Sequence, residues 1–220
     1  FMPSIIIFAV ITAVFASLIS ILITRVSCSK KYAFEPEMTK EIVEIIKSFK
    51  YVYLMGHKRA DFDSFGACTG LYAICRSLGK ESHIIMGTDI FAVKDIYDKF
   101  AINKEYEGVF LSVAEAEKKI NSDCLVILCD THVSRLVESS LAIEKAGKTI
   151  VIDHHKESEQ PVEGAEKIFI KNYFSSSCEL VSTILRSCLV NPSPLEAEAL
   201  LAGMMVDTRN FGMNSGGHVF

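Results

Sequence analysis

Histidine and aspartate residues cluster at four points of this sequence, three of them directly after an apolar run. The four clusters are GHKRADFD from Gly56, DTH from Asp130, DHH from Asp153, and VDTRN, which holds Asp207. Imidazole nitrogens and carboxylate oxygens are ligands for divalent metal ions. One cluster alone is weak evidence, because an aspartate after a strand commonly caps a helix. The shared position of several clusters after apolar runs is what indicates one metal centre.

The candidate ligands are His57, Asp61, Asp63, Asp130, His154 and Asp207. This set offers hard oxygen, some nitrogen and no thiolate, which suits Mn²⁺ or Mg²⁺ better than structural Zn²⁺. It is too large for one ion with open positions, but it fits two ions. Two ions about 3.5–4 Å apart can clamp an in-line displacement at phosphorus. Within HKRADFD, His57 and Asp61 can face one ion while Asp63 reaches the other.

The elements that position these residues alternate between strand and helix. Strands are predicted at 51–55, 83–86, 109–111, 124–129, 149–152 and 168–170, and helices at 64–78, 92–100, 113–120, 176–188 and 194–205. Continuous apolar strands separated by helices predict an α/β fold, a parallel sheet with helices on both faces. Ligands of such sheets bind beyond the carboxyl ends of the strands, where three of the clusters fall.

The N-terminal segment differs from the rest of the chain, because residues 1–24 include no charged side chain. About 20 apolar residues suffice for a transmembrane helix, which we predict here, with a buried core helix as the alternative. The basic residues that follow, Arg25, Lys30 and Lys31, predict a single span in the cell membrane with the C-terminal side cytoplasmic. Residues 25–50 are predicted to form a juxtamembrane linker and an amphipathic helix that starts at Pro36, and residues 51–220 to form the α/β domain that holds the four clusters.

Composition narrows the class of partner. Half of the 220 residues are hydrophobic and 23% are charged, which excludes a disordered or collagen-like chain. The net charge of −4 argues against duplex nucleic acid as the main partner, since binding to a phosphate backbone needs a basic face. The seven cysteines have no metal-site spacing and are predicted to be reduced core residues. Homodimer formation is left open.

The ordered motifs resemble a known family. HKRADFD, DTH, DHH and VDTRN, in this order and at these intervals, resemble the DHH phosphoesterase superfamily. The blocks MGHKRADFDSFGA, CDTHVSR, VIDHHK, SSSCELV and LLAGMMVDTRNF are similar to those of the membrane-bound cyclic-di-AMP phosphodiesterases of the GdpP type. They span about residues 51–220.

The resemblance implies a cofactor of two Mn²⁺ ions, with Mg²⁺ or Co²⁺ as substitutes. It implies that His57, Asp61 and Asp130 hold one ion, and that Asp63, Asp130, His154 and Asp207 hold the other, with Asp130 as the bridge. The implied reaction is hydrolysis of cyclic-di-AMP, a small cyclic dinucleotide, to pApA by a hydroxide that bridges the two ions.

The resemblance also implies roles around the ions. His155 and Asp130 are the implied catalytic residues, with His155 facing the scissile phosphate and Asp153 orienting the histidine pair. Candidate substrate-positioning residues are Ser175, Ser176, Ser177 and Arg209. The alternatives are an ordinary helix N-cap for the serines and an ion pair with a carboxylate for Arg209.

Two features depart from the family pattern. Cys178 lies in the serine block where Ser or Thr is expected, and the substrate-binding DHHA1 domain is expected to be absent from this chain, which we interpret as a fragment or a short relative. Two alternative functions stay open for this reason. One is a short-oligonucleotide (nanoRNA or pApA) hydrolase of the same superfamily, and the other is a non-catalytic membrane-tethered nucleotide sensor.

Overall fold

The computed structural model describes residues 36–157 and 160–212. In these residues the strands are β1 (Tyr51–Met55), β2 (Glu81–Met86), β3 (Phe110–Ser112), β4 (Cys124–Cys129), β5 (Lys148–Asp153) and β6 (Lys167–Ile170). The α-helices are α1 (Pro36–Ser48), α2 (Phe62–Ser77), α3 (Lys94–Ala101), α4 (Val113–Lys119), α5 (Ser140–Lys145), α6 (Ser177–Ser187) and α7 (Pro194–Asp207). Short 3₁₀ turns lie at Phe91–Val93, Lys104–Tyr106 and Ser134–Leu136.

The six strands form one sheet in the order β3-β2-β1-β4-β5-β6, and all neighbouring pairs are parallel. Strands β1, β2 and β3 lie in chain order from the centre of the sheet to one edge, and β4, β5 and β6 lie in chain order from the centre to the other edge. The order therefore reverses between β1 and β4. In open parallel sheets, ligands bind at such a switch point, outside the carboxyl ends of the strands.

Helices cover both faces of this sheet, as predicted. On β1, Val52 and Leu54 belong to a core that includes residues of α1, α2, α3, α6 and α7. Tyr53 and Met55 belong to a second core, against α4 and α5. The alternation follows from the strand geometry, because successive side chains point to opposite faces. Because helices cover both faces of the sheet, the strands carry apolar side chains on both faces.

A close approach between α2 and α7 brings the end of α7 to the start of α2. A Cβ atom added at Gly203 would lie 2.8 Å from the carbonyl oxygen of Phe62 and 2.9 Å from Cα of Asp63. A Cβ atom at Gly66 would lie 2.6 Å from the carbonyl oxygen of Ala199. Glycine at both positions therefore lets the two helix backbones pack closely.

The described residues also settle smaller predictions. The amphipathic helix from Pro36 is confirmed as α1, in which Ile42 and Ile46 are fully buried. The six described cysteines are free and five of them are buried, as expected for reduced core residues. Helix α5 was not predicted from the sequence, because its six residues are too few to show a helical period.

The transmembrane helix predicted for residues 1–24, the start of the linker and the run 213–220 lie outside the described residues. In the described part of the chain, every helix is too short or too polar to cross a membrane.

Candidate metal centre

The six predicted ligands come together at the carboxyl edge of the sheet, beside the switch point. His57 lies two residues after β1, Asp130 directly follows β4, and His154 directly follows β5. Asp61 and Asp63 lie at the start of α2, while Asp207 is the last residue of α7. The parallel strands and the α2–α7 packing thus gather residues that are up to 150 positions apart in sequence.

One group of potential ligands consists of His57, Asp61 and Asp130, whose ligand atoms all lie within 4.8 Å of one another. His57 Nε2 is 3.3 Å from Asp61 Oδ2 and 3.6 Å from Asp130 Oδ2. Asp61 also caps α2, because its Oδ1 accepts a hydrogen bond from the Ser64 N–H at 2.9 Å. The cap uses one carboxylate oxygen and leaves the other facing His57.

A second group consists of Asp63, His154 and Asp207, again within 4.8 Å. His154 Nε2 is 3.6 Å from Asp63 Oδ2 and 3.4 Å from Asp207 Oδ2. It is also 3.6 Å from Asp130 Oδ1, the oxygen that does not face His57. Asp130 thus presents one oxygen to each group, which is the arrangement that a bridging ligand needs.

The backbone of Asp130 is unusual, because its φ of 62° is in the left-handed region. Few residues other than glycine adopt this conformation, and it is often stored strain at a functional site. The Asp130 N–H donates to the carbonyl oxygen of Ile152 at 3.0 Å. The Ser177 hydroxyl donates to Asp130 Oδ1 at 2.9 Å. Backbone and side chain are therefore both fixed.

The N-terminus of α6 holds Asp63 in place. The backbone N–H groups of Ser177 and Cys178 donate to Asp63 Oδ2 and Oδ1 at 2.7 and 2.8 Å. Helix N-termini favour anions for two reasons, the free N–H groups and the helix dipole. Here the anion is the buried carboxylate of Asp63, and not a phosphate.

This geometry bears on the serine block, which the sequence suggested as a substrate contact. All three serines are buried. Ser175 donates from its N–H and its hydroxyl to Glu179 Oε2, and Ser176 caps α6 by accepting from the Glu179 N–H at 3.0 Å. Together with Ser177, they support neighbouring carboxylates and the helix end. Ser176 is thus the N-cap of α6, and contact of the three serines with substrate stays a prediction.

The side chain of Asp153 forms hydrogen bonds with one member of the histidine pair, His155. Its Oδ1 accepts from the backbone N–H of His155 at 3.0 Å and lies 2.8 Å from His155 Nδ1. Its Oδ2 accepts from Nδ1 of His132 and not of His154. The Nδ1 atom of His154 instead faces the carbonyl oxygen of Phe174 at 3.4 Å. The sequence analysis assigned no role to His132, although the DTH motif places it two residues after Asp130.

The pKa values of the two histidines His57 and His154 depend on their burial and on their pairing with carboxylates. Burial would lower the pKa of His57, but contacts with Asp130 and Asp61 outweigh it and raise the pKa to about 10. Burial likewise opposes the effect of Asp207, Asp63 and Asp130 on His154, whose pKa rises to about 9. Each imidazolium thus replaces part of the positive charge that these carboxylates require.

The carboxylates respond in opposite ways to their surroundings. Burial, together with the neighbouring charges of Asp130 and Asp207, raises the pKa of Asp63. Burial also raises the pKa of Asp130. Burial would raise the pKa of Asp153 too, but hydrogen bonds from His155 and His132 hold it below its ordinary range. The two carboxylates with raised pKa values, Asp63 and Asp130, are buried and both face His154.

These residues fit the binding of divalent cations. His154 Nε2 is buried and makes no hydrogen bond of good geometry, although three carboxylates surround it. A cation placed among these groups would satisfy the nitrogen and offset the repulsion between the carboxylates. The donor set of carboxylate oxygen and imidazole suits hard divalent ions. His155 forms a further potential group with Asp130 and His154.

Arg209, the remaining candidate, is exposed and lies two residues after Asp207. Its φ of 49° belongs to a turn in which Asn210 and Phe211 are also left-handed. Contact with a substrate phosphate stays a prediction for this residue.

Comparison with known proteins decides the family. Residues 51–204 match the model described as the DHH family, N-terminal domain. The chain belongs to the DHH family. The family assignment made from the motifs is therefore confirmed, and with it the assignment to a family of metal-dependent phosphoesterases.

Curated relatives of this DHH-family chain include two proteins named cyclic-di-AMP phosphodiesterase GdpP. The one from Bacillus subtilis (strain 168) is 30% identical over 181 residues, which are 80% of this chain and 28% of the relative. The one from Geobacillus thermodenitrificans (strain NG80-2) is 33% identical over 182 residues, also 80% of this chain and 28% of the relative. The chain thus spans just over a quarter of the length of these relatives.

Among solved structures, an exopolyphosphatase-related protein from Bacteroides fragilis is similar to the DHH-family chain, with a TM-score of 0.62 and 21% sequence identity. The match covers 81% of this chain and 52% of that protein. At this identity the similarity shows that the two proteins share a fold.

Proposed function

We propose that this chain carries the catalytic domain of a phosphodiesterase that hydrolyses cyclic-di-AMP to pApA with two Mn²⁺ ions, for which Mg²⁺ or Co²⁺ can substitute. The observation that carries the proposal is the position of Asp130, whose two carboxylate oxygens face two separate groups of ligands at the switch point of the sheet. The names of the two curated relatives support the choice of substrate.

The two groups of ligands divide the work of binding the ions. His57, Asp61 and Asp130 would hold one ion, and Asp63, Asp130, His154 and Asp207 would hold the other. When bound, the ions supply positive charge for the phosphate and lower the pKa of a water molecule that can attack phosphorus. Asp63 stays in position because the α6 N-terminus holds both of its oxygens.

His155 is suited to contact the phosphate directly. Its side chain is 56% exposed, and Asp153 occupies its Nδ1 atom, so Nε2 is the nitrogen left for a substrate. The hydrogen bond to Asp153 raises the pKa of His155 and thereby favours the charged ring. A charged Nε2–H group can donate to a phosphate oxygen as negative charge develops there.

Incubation of the full 220-residue chain with Mn²⁺ tests the proposal. The substrates are cyclic-di-AMP, pApA and the base-free diester bis(4-nitrophenyl) phosphate, with products identified by mass spectrometry. We expect conversion of cyclic-di-AMP to pApA, and loss of at least about a hundredfold in kcat for Asp130→Asn, since the carboxylate serves both ions. Asp98→Asn is the matched control, because Asp98 is an exposed carboxylate that pairs with Lys94.

Other results would overturn parts of the proposal. Preference for pApA would assign a short-oligonucleotide hydrolase. Binding of cyclic-di-AMP without turnover of any substrate would assign a nucleotide sensor. Activity of Asp130→Asn close to that of wild type would contradict the two-ion site.

We also propose that residues 1–24 anchor the domain to the cell membrane, with the domain in the cytoplasm. The support is their lack of charged side chains and the basic residues Arg25, Lys30 and Lys31 that follow. The expressed chain should sediment with membranes and resist carbonate extraction, whereas a chain that starts at Pro36 should stay in the supernatant. Release of the full chain by carbonate would contradict the anchor.

A further inference from the structure

We propose that His132 is a positioning residue that fixes Asp153 and, through it, the orientation of His155. The inference deepens the proposed function, since it depends on His155 acting on the phosphate.

The geometry is a chain of three buried or half-buried side chains. His132 is 2% exposed, and its Nδ1 atom contacts Oδ2 of Asp153. Asp153 is fully buried, and its Oδ1 receives both the ring and the backbone N–H of His155. Each oxygen of one carboxylate therefore holds one imidazole ring.

The proton positions follow from this arrangement. A carboxylate accepts hydrogen bonds, so both Nδ1 atoms must carry the proton. For His155 this leaves Nε2 as the atom available to a substrate. A carboxylate held at only one oxygen could rotate about its Cβ–Cγ bond and release His155 from this orientation. Holding the second oxygen is the contribution of His132.

Packing alone does not explain the position of His132. Its Nε2 atom is buried and has no hydrogen-bond partner among the described residues, which is unfavourable for a polar atom. An apolar side chain of similar size would avoid that cost. Among the described residues, the ring makes its polar interaction with Asp153. We infer that a histidine is present at this position because of that interaction.

The backbone around His132 is itself fixed. The His132 carbonyl oxygen accepts from the Val162 N–H at 2.7 Å, and Val133 pairs with Pro161 in an isolated bridge. The residue also follows Asp130 by only two positions. The segment after β4 thus delivers a bridging carboxylate and a positioning imidazole to the same site.

The test uses two variants of nearly identical shape in the full chain. His132→Asn keeps an N–H donor close to the position of Nδ1, whereas His132→Leu has none. We expect His132→Leu to lower kcat for cyclic-di-AMP by about 10- to 100-fold, with little change in KM or in Mn²⁺ affinity. We expect His132→Asn to keep most of the wild-type kcat. Thr149→Val is the control, because it removes a buried hydroxyl without a partner on the same strand as Asp153.

A spectroscopic measurement tests the geometry without activity. With ¹⁵N-labelled histidine, the wild-type chain should show hydrogen-bonded, slowly exchanging ring N–H protons that are assigned to His132 and to His155. His132→Asn should keep the proton of His155, and in His132→Leu that proton should exchange faster. If His132→Leu does not fold, the role of His132 is tested by the ring N–H protons in the spectra of wild type and His132→Asn.

The two proposals fail in distinguishable ways. A wild-type chain that hydrolyses neither cyclic-di-AMP nor bis(4-nitrophenyl) phosphate would refute the proposed function, whatever the spectra show. Equal kcat values for the Asn and Leu variants, or a wild-type spectrum in which the ring proton of His132 or of His155 is not protected, would refute the role of His132.

Discussion

Asp130 combines a left-handed backbone with a carboxylate whose two oxygens face different histidines. The strained backbone is tolerated because the Asp130 N–H bonds to Ile152 and the side chain accepts from Ser177. Strain of this kind persists only where the surroundings impose it. At the scale of single residues, the geometry of Asp130 thus depends on groups outside the predicted set of ligands.

Ser177 is the clearest of these supporting groups. Replacing it with alanine removes the hydrogen bond to Asp130 Oδ1 but keeps the backbone N–H that holds Asp63. We expect Mn²⁺ affinity, measured by isothermal titration calorimetry, to fall about tenfold, since partners of metal ligands commonly contribute that much. Ser82→Ala, which removes a buried hydroxyl without a partner, is the control and should leave the affinity unchanged. Unchanged affinity in Ser177→Ala would show that Asp130 does not need this support.

The raised pKa values of His57 and His154, about 10 and about 9, predict how metal affinity varies with pH. Both rings are protonated in the metal-free protein at neutral pH, and an ion requires the neutral ring, so binding releases protons. Mn²⁺ affinity should therefore rise between pH 6 and pH 8, by about tenfold per pH unit for each proton displaced. The same pairs stabilise the metal-free fold most fully below the ordinary histidine pKa, and this stability is lost as pH rises through 9 to 10. Titrations at several pH values, with proton release measured in buffers of different ionisation enthalpy, check this, and an affinity independent of pH would contradict it.

At the scale of elements, the approach of α7 to α2 determines whether Asp207 reaches the site. Gly203→Ala would place a Cβ atom within 3 Å of backbone atoms of Phe62 and Asp63, which cannot move as a side-chain tip can. We expect a loss of about 1–3 kcal/mol in the free energy of unfolding and a lower Mn²⁺ affinity, as α7 shifts and carries Asp207 with it. Leu201→Ala, at a half-exposed position of the same helix, is the control for denaturant unfolding and metal titration. A stable variant with wild-type Mn²⁺ affinity would show that the α2–α7 distance does not control the site.

The elements themselves were largely predictable from the sequence. Strands β1 and β4 have the predicted bounds, because each is a short apolar run that ends at a polar or glycine residue. Helix α5 was missed because six residues give no period. The placement of the predicted ligands His57, Asp130 and His154 was predictable because each follows a strand and parallel strands end at one edge, whereas Asp207 ends helix α7.

The supporting contacts of the site were not predictable in the same way. The N-terminus of α6 contacts Asp63 across more than a hundred residues, so its N–H groups looked free for a phosphate. The sequence predicts that Asp153 orients the adjacent pair of histidines, whereas one of its hydrogen-bond partners is His132, which follows another strand. Both contacts depend on how elements dock, and no local pattern of residues encodes that.

At the scale of the whole molecule, a modest net charge of −4 conceals a strong local concentration of negative charge at one edge of the sheet. Burial raises the pKa values of both Asp63 and Asp130, and the neighbouring charges of Asp130 and Asp207 raise that of Asp63 further. The metal-free fold therefore keeps the site at the expense of stability. Cations that bind only the folded chain would return this stability.

This balance predicts a large effect of metal on thermal unfolding. With Mn²⁺ at about 100 times its Kd, binding adds about 2.7 kcal/mol per site, and each occupied site should raise the Tm by about 5–10 °C for a chain of this size. Chelation by EDTA should reverse the shift. Asp130→Asn should lose the shift, because the substitution removes the carboxylate whose two oxygens face both groups of ligands. Asp98→Asn should behave as wild type, and a full Mn²⁺ shift in Asp130→Asn would place the ions elsewhere.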